Sequence, residues 1–518
     1  MTRDALVIGA GLAPARAARP ILAGERIHVV GAAGAGASAA AILAHHAGAS
    51  VTACDAGGPS PYVPAVLSAG IPIAWAHDAA HVTDEPRPDR LAVTKALTAV
   101  QPDHPELVAA RTAGVPLEAW QQVVADAAAG RRLVAVAGTH GKSTTAGWLV
   151  HVLVAAGADP SAFVGALLPP GDIDGIPATA RWGAGEAFVV EADEYAGNFD
   201  PFRPDVAVLT SAEWDHPDVF ADAEAVQAAF AAWLRRLPPG ATLVANGGDP
   251  GVEATMERVI HDLPVDVVAY ALTDADPRRG GYVRGLSERF AVGDRPATAL
   301  IGRVTAADSD GTSVEIHGLD PSGGPVTVRL PTAGRHNAAN ALAVTGVAMT
   351  LGVPAAALVA GLASFSGVGR RLERKGTAAG VTVYDDYGHH PTAIRETIAA
   401  VRQREPGRRV WAVYEPLTYH RTAALLPAFA EALATADAVA VADIWAGRDT
   451  DTTVASAAGL AAAVGAVDHG LEVAAPGSVE ATADWLASAV RSGDVVLVMG
   501  GGHSYRIGER LLARLEAS

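Results

Sequence analysis

The stretch Val136-Ala137-Gly138-Thr139-His140-Gly141-Lys142-Ser143-Thr144-Thr145 decides how the rest of the chain is read. It follows an apolar run that starts at Leu133 and opens a helical pattern over 144–156. A glycine-rich turn between a buried strand and a helix leaves backbone N–H groups converging on one point. The helix N-terminus adds positive potential there, so the turn suits a phosphate. Lys142 can reach the outer phosphates of a nucleotide, and the Ser143 hydroxyl can ligate Mg²⁺. The spacing is shorter than a Walker A loop, which asks for glycine where Val136 stands. An ordinary glycine turn is the alternative, and Gly-Lys-Ser-Thr-Thr behind a buried strand speaks against it.

Other polar groups fall at the ends of strand-like runs downstream. Glu191-Ala192-Asp193-Glu194 follows Ala187-Phe188-Val189-Val190. Carboxylates at the carboxyl end of a strand sit where open α/β sheets bind ligands, and they can hold Mg²⁺ directly or through water. Asp215-His216 follows Val206-Ala207-Val208-Leu209-Thr210, which makes His216 a candidate metal ligand or ordering group. Gly334-Arg335-His336-Asn337 opens a helix expected over 336–351, with Asn340 one turn in. These side chains suit an adenine edge, and they equally suit an N-cap. Asp385-Asp386-Tyr387-Gly388-His389-His390-Pro391 follows a strand expected over 381–384. Adjacent histidines suggest zinc, but no further ligands at the spacing of a closed zinc site are evident.

Apolar runs alternate with Ala-rich helical stretches along most of the chain, giving an α/β class with mostly parallel sheets. The earliest unit is a strand at Ile27-His28-Val29-Val30, a turn over 31–38, a helix over 39–47 and a strand at Val51-Thr52-Ala53-Cys54-Asp55. A βαβ unit that ends on an acidic residue is the pattern of nucleotide-binding Rossmann-like domains. Residues 280–330 read as antiparallel hairpins, and a helix is expected over 423–434. With 518 residues, two to four domains of roughly 100–200 residues are expected. We read three, over 1–128, 129–367 and 368–518. Leu6-Val7-Ile8-Gly9-Ala10-Gly11 imitates a dinucleotide-binding start. Pro14 and Pro20 break the helix that should follow, which leaves the first 25 residues as an extension.

Composition narrows the class. The hydrophobic fraction is 50% but aromatics are only 5%, so the apolar content is largely Ala and Val, which suits helices on parallel strands. A net charge of −17 excludes a general nucleic-acid binder. The single cysteine, Cys54, cannot form an intrachain disulfide and reads as an ordinary buried thiol in a reducing compartment. Residues 147–170 are apolar, but His151 and Asp159 interrupt them, so no membrane insertion is expected. The start lacks a signal-peptide pattern, so a cytoplasmic location is expected.

Taken in order, residues 138–145, 191–194, 215–216, 334–337, 367–371 (Gly-Val-Gly-Arg-Arg) and 385–391 resemble the motif series of the Mur ligases of peptidoglycan-precursor synthesis, across nearly the whole chain. The resemblance implies a three-domain Mur ligase architecture. A Rossmann-like N-terminal domain binds a UDP-sugar, a P-loop ATPase-like central domain binds ATP, and a Rossmann-like C-terminal domain binds an amino acid. It implies that ATP phosphorylates the carboxylate of UDP-N-acetylmuramate and that an amine then forms the amide, L-alanine being the acceptor in the branch most resembled. Lys142, Glu191, His216 and Arg371 are the implied catalytic residues, with Ser143, Glu191 and His216 around Mg²⁺. Gly138, Thr139, His140, Gly141, Lys142, Ser143, Thr144, His336, Asn337, Asn340 and Asp386 would surround ATP. Gly31, Gly34, Gly36, Ser38 and Asp55 would meet the UDP-sugar, and Tyr387, His389 and Arg421 the amino acid. The implied assembly is a monomer or homodimer.

The chain departs from the family pattern at three places. Ala33 and Ala37 stand where the N-terminal loop usually has glycine and methionine, and their small size still admits a diphosphate. Ser143 replaces threonine and keeps the hydroxyl. Leu417 and Thr418 stand where the alanine-adding branch carries His-Arg, although Arg421 can still grip an α-carboxylate with two prongs and His420 is a candidate substitute. Glu415-Pro416 and residues 214–220 instead resemble the recycling branch, which adds a tripeptide to UDP-N-acetylmuramate. A nicotinamide-dependent oxidoreductase built on residues 31–55 would leave the phosphate loop without a use. A scaffold that merely kept the fold would leave Lys142, Glu191 and His216 unexplained.

Overall fold

Strands such as Arg132–Ala137 (RLVAVA) and Val495–Gly500 (VVLVMG) are apolar at nearly every position. That pattern belongs to parallel strands covered by helices on both faces. The computed structural model describes residues 8–173, 175–275, 277, 281–320, 324–449 and 451–517. Leu6 and Val7 of the dinucleotide-like start lie outside the described residues. Among those described, the strands form sheets of five, ten and six.

The first sheet is wholly parallel, in the order Ile73–Ala74, Ser50–Cys54, Arg26–Val30, Arg90–Val93, Leu117–Ala119. Strand order reverses at Arg26–Val30, so the turn at Gly31 sits at a switch point, where such sheets open a ligand crevice. In the second sheet, Arg132–Ala137 lies between Val206–Leu209 and Ala187–Glu191, all parallel. The phosphate loop therefore emerges beside the acidic turn at 191–194 and beside residues 210–216. Thr242–Asn246, Asp266–Leu272 and Thr298–Asp308 continue in parallel, and Gly311–His317 and Val326–Leu330 close that edge antiparallel. The third sheet runs Glu373–Ala378, Val381–Asp386, Val495–Gly500, Val410–Glu415, Ala438–Ala442, Glu472–Gly477, antiparallel only at its first pair.

Three readings need correction. The first helix is Ala35–His46, so the turn before it is shorter than expected, because Gly34 already serves as N-cap. The hairpins of 280–330 are preceded by a helix at Tyr282–Arg289. The helix expected over 423–434 is two, Tyr419–Ala424 and Leu426–Leu433, with Pro427 in the first turn of the second. Among the described residues no helix is long and apolar enough to cross a membrane.

The first two sheets share one apolar core, into which Val29 and Leu43 pack from one side and Val136 and Trp148 from the other. The third sheet has cores of its own on either face. It meets the second unit through polar groups. Gln403 Nε2 donates to Gly311 O (2.9 Å), Gly334 N donates to Gln403 Oε1 (2.9 Å), and Thr392 Oγ1 donates to Glu213 Oε1 (2.7 Å). A polar seam rehydrates more easily than a shared apolar core, so relative motion belongs at the third unit.

From Ile8 onward the extension is a strap. Arg16 grips Asp126 with two prongs (2.9 and 2.7 Å) and reaches Glu118, while Arg19 pairs with Glu25. Beneath them Arg90, 2% exposed, is paired with Glu25, Glu118 and Asp126. Three carboxylates buried under one arginine would be undercompensated without the strap.

Gly36 owes its identity to packing. A Cβ there would lie 2.2 Å from the Trp120 ring. Gly36→Ala should therefore lower stability by about 1–3 kcal/mol, read by thermal or denaturant unfolding. An unchanged unfolding curve would contradict the contact.

Candidate active site

The phosphate loop is held in shape by close backbone contacts. A Cβ at Gly138 would lie 2.1 Å from Thr210 Oγ1, and the backbone there has φ +133°. Lys142 begins the helix Lys142–Ala155 and is nearly buried. Its ammonium donates to Gly138 O (2.5 Å) and Glu194 Oε2 (3.0 Å), with Asp193 Oδ1 at 3.8 Å. Burial disfavours that charge, but the carboxylates of Glu194, Asp193 and Glu191 together raise the ammonium above its ordinary value. Ser143 Oγ accepts from Arg371 Nη2 (2.8 Å), so a guanidinium of the third unit touches the phosphate loop. Glu191 Oε2 accepts from Gly165 N (2.7 Å).

His216 sits at the seam with the third unit, at φ +55°. Its Nδ1 receives Arg421 Nη2 (3.0 Å) and Arg448 Nη2 (3.3 Å). Guanidinium groups only donate, so Nδ1 is the acceptor and Nε2 carries the ring proton. Burial is the main reason its pKa falls to about 4, which keeps the ring neutral. In this arrangement its Nε2 offers no lone pair to a metal, although Asp193, Glu194 and His216 cluster with ligand atoms within 4.8 Å. Asp215 pairs with Arg421 Nε at 2.8 Å, and both are buried. Burial pushes the Asp215 carboxyl up, but Arg421 and three neighbouring imidazoles hold it well below the usual range. Arg421 is thus committed to Asp215 and His216 in this arrangement, and its Nη1 has no hydrogen-bond partner.

One cavity of about 550 Å³ lies beside the loop. His140, Gly141, Thr144, His336, Asn337, Asn340 and Asp386 line it, so these sequence candidates are brought together. Gly138, Thr139, Lys142 and Ser143 do not line it, and Thr139 Oγ1 donates to Glu213 O (3.0 Å). Asn340 Nδ2 donates to Asn337 Oδ1 (3.2 Å), and Asn337 Nδ2 to Ala333 O (2.8 Å). His336 faces Glu396 at 3.3 Å. Asp386 accepts backbone N–H groups of Leu372 and Gly388, both at 2.7 Å, and so shapes the wall. Asn246, Asp249 and Thr392 line the same space and were missed. Asn246 ends a parallel strand on the ligand-binding side, a signal that could have found it.

A second cavity, of about 620 Å³, is lined from all three units: Tyr62, Leu167, Arg370, Arg371, Lys375 and Tyr387 among others. The guanidinium groups of Arg370 and Arg371 each lie 5.1 Å from the Tyr387 ring. Arg371 lines both cavities. His389 Nδ1 donates to Tyr387 O (3.0 Å), and its Nε2 lies 3.8 Å from Asp215. Arg370 (φ +57°) and Thr418 (φ +63°) join His216 as left-handed non-glycine residues around this junction. Such strain collects at functional sites.

The UDP-sugar candidates separate. Gly31 and Gly34 shape the turn, and the helix Ala35–His46 starts with no side-chain cap. Asp55 accepts N–H groups of Ala33 (2.9 Å) and Gly57 (2.7 Å), which fixes the loop. Gly36 and Ser38 have packing partners of their own. Gly36 packs on Trp120, and the buried Ser38 hydroxyl donates to Ala35 O (2.9 Å) beside Thr179 (3.1 Å). Leu417 and Thr418 are both buried, and His420 turns to Asp449 (3.1 Å). Arg448 had no motif to mark it. It pairs with Asp218 (2.8 Å) and stacks over Tyr195 (4.0 Å).

Comparison with known proteins agrees with this geometry. Residues 26–132 match the family description "Mur ligase family, catalytic domain", 136–348 "Mur ligase middle domain", and 370–502 "Mur ligase, glutamate ligase domain". The chain is 37% identical to a UDP-N-acetylmuramate–L-alanine ligase from Frankia casuarinae, over 95% of this chain and 98% of that one. It is 38% identical to the protein of that name from Kineococcus radiotolerans, over 94% and 95%. Among solved structures it superposes on a UDP-N-acetylmuramate-alanine ligase from Thermotoga maritima with a TM-score of 0.72 at 22% identity, covering 95% of this chain and 99% of that one. A murein peptide ligase from Psychrobacter arcticus gives 0.68 at 23%, covering 96% and 99%.

Arg421→Ala should cost about 3–5 kcal/mol in equilibrium unfolding, because it leaves Asp215 buried and unpaired. A cost below about 1 kcal/mol would mark the pair as an ordinary surface contact. Glu213 supplies a pH test. Burial pushes its carboxyl up, but His140 and Thr392 hold it at about 2. Its folded pKa lies below an unfolded value of about 4.3, so its stabilisation is present above that pH and is lost as pH falls toward 2. Glu213→Gln should flatten this acid limb of the stability curve, and an unaltered limb would contradict the assignment.

Proposed function

The chain belongs to the Mur ligase family, and we propose that it uses ATP to join the carboxylate of UDP-N-acetylmuramate to L-alanine in peptidoglycan-precursor synthesis. The observation that carries this reading is the hydrogen bond from Arg371 to Ser143, which sets a third-unit cation on the phosphate loop between two cavities. A reaction that needs a nucleotide, a sugar carboxylate and an amine together needs such a junction. The three units act as domains over 1–128, 129–367 and 368–518, binding UDP-sugar, ATP and acceptor in that order. Nucleotide-linked substrates place the reaction in the cytoplasm.

A carboxylate resists attack by an amine until one oxygen is phosphorylated. Its oxygen attacks the γ-phosphorus of ATP and ADP leaves. The acceptor amine then attacks the acyl carbon, the C–O bond breaks, and phosphate departs with that oxygen. Charge developing on the phosphoryl oxygens is met by Lys142, kept cationic by its carboxylates, and by Arg371.

Ser143 and Glu191 would hold Mg²⁺. Ser143 Oγ keeps a second lone pair beside its bond to Arg371, and Glu191 engages only Oε2. Hard oxygen donors suit this ion, which when bound supplies further neutralisation of phosphate charge. His216 would join them only after releasing both guanidinium groups. His336, Asn337 and Asn340 would surround the adenosine. The turn at Gly31 and the uncapped start of the helix Ala35–His46 would take the UDP diphosphate.

Arg421 Nη1 would receive the acceptor carboxylate. The names of the relatives favour L-alanine over a tripeptide, and Leu417 and Thr418, being buried, do not argue against it.

Lys142→Ala should lower phosphate release by at least about 10²–10³-fold, the scale for losing one preorganised charge donor. Retention of the full rate would contradict the mechanism. With UDP-N-acetylmuramate, ATP and Mg²⁺, L-alanine should give the highest kcat/KM in an acceptor panel. A higher value for the tripeptide would assign the recycling activity instead.

A further inference from the structure

The first unit buries a group of donor atoms that the ligation does not use. His28 comes from the strand Arg26–Val30, and Cys54 ends the strand Ser50–Cys54. His77 precedes the short helix Ala80–Thr83, which carries His81. His104 caps the helix Pro105–Ala113, and Glu106 lies in its first turn. No spacing in the sequence announces this set; the parallel sheet and its covering helices bring it together.

Glu106 and Cys54 are 0% exposed, His28 2% and His104 3%. The Cys54 thiol donates to Glu106 Oε1 at 3.0 Å, and His81 Nδ1 meets the same oxygen at 2.6 Å. His28 Nε2 lies 3.7 Å from it. His77 Nδ1 and His104 Nδ1 lie 3.5 and 3.7 Å from Oε2. The ligand atoms of His28, Cys54, His81 and Glu106 all fall within 4.8 Å of one another.

Hydrogen bonds alone leave this group unsatisfied. His28 Nε2 and both ring nitrogens of His104 are buried without a hydrogen-bond partner. Each such orphan has lost its hydration with nothing in exchange. One carboxylate with two oxygens cannot serve four imidazoles and a thiol. His28 is also oriented from behind, since its Nδ1 meets Thr52 Oγ1 at 2.8 Å and turns Nε2 toward Cys54 and Glu106. Histidines that bind metals are fixed in this way through their other nitrogen.

We propose that Cys54, His28, His81 and Glu106 bind one zinc-like divalent transition-metal ion, with His77 and His104 packed beside it. A thiolate, two imidazoles and a carboxylate are a borderline-soft set that suits such an ion and not Mg²⁺. Bonds of about 2.0–2.3 Å in a tetrahedron set ligand atoms roughly 3.3–3.8 Å apart. The separations from Glu106 Oε1 are 2.6, 3.0 and 3.7 Å, so closing the tetrahedron moves His81 and Cys54 outward from that oxygen. The ion displaces the Cys54 thiol proton, which leaves to solvent; the His81 Nδ1 proton now given to Glu106 moves to Nε2, and the freed Nδ1 lone pair binds the ion. The site is closed, so its role is structural: it ties the helices Ala80–Thr83 and Pro105–Ala113 to the sheet whose switch point carries Gly31.

The test uses the full chain, purified without an affinity tag or chelator. Elemental analysis should find one zinc ion per chain, retained in Lys142→Ala and lost in Cys54→Ser. Chelation should lower the melting temperature and added Zn²⁺ should restore it. Co²⁺ added to the chelated protein should give a thiolate-to-cobalt charge-transfer band. If Cys54→Ser fails to fold, that band in the unsubstituted chain still decides. Substoichiometric metal together with no band and no Zn²⁺-dependent melting shift would overturn the proposal. Zinc bound without the thiolate band would place the ion elsewhere and overturn it as well.

Discussion

Charge compensation at the carboxyl ends of the central strands is the constraint on which the cleft depends. Lys142 is nearly buried at a helix start, where the positive end of the helix already disfavours a cation, and only Glu194, Asp193 and Glu191 make its charge tolerable. The same logic governs Arg421 and Asp215 across the seam, where each buried charge is admissible only beside the other. A bound triphosphate would offer Lys142 and Arg371 a stronger anionic partner than Glu194 and Ser143 do. The cations are thus held in place by groups that a substrate can replace.

The two seams of the molecule differ in kind, and the difference suits the chemistry. The first two sheets are fused through apolar residues, so the turn at Gly31 and the phosphate loop keep a fixed relation. The third unit is joined through hydrogen bonds and ion pairs, with Arg371, Thr392, Arg421 and Arg448 reaching across. Such contacts can be exchanged for water or ligand at small net cost, so the acceptor side can open while the other two sites stay aligned. The left-handed backbone at His216, Arg370 and Thr418 lies at this seam.

What could be read in the sequence was what depends on neighbours in the chain. The phosphate loop, the alternation of apolar strands and helices, and the acidic turn at 191–194 are local patterns, and they gave the α/β class and part of the lining of the cavity beside the loop. What was not legible lies where a distant side chain decides. Gly36 matched a diphosphate-binding loop, and its packing on Trp120 could not be seen. Ser38 was placed at the end of the turn, but it lies inside the first helix and meets Thr179 of another sheet. Nothing near His216 in the chain announced the two arginines of the third unit on its Nδ1. Cys54 looked ordinary because its four histidine neighbours come from elements with no common spacing.

The central claim is that the sugar carboxylate is activated by phosphorylation and then loses that oxygen to phosphate. The most direct measurement is the fate of ¹⁸O placed in the carboxylate of UDP-N-acetylmuramate during turnover with ATP and L-alanine. The account predicts that each released phosphate carries one carboxylate-derived oxygen, read by mass spectrometry. Phosphate released without the label would contradict it.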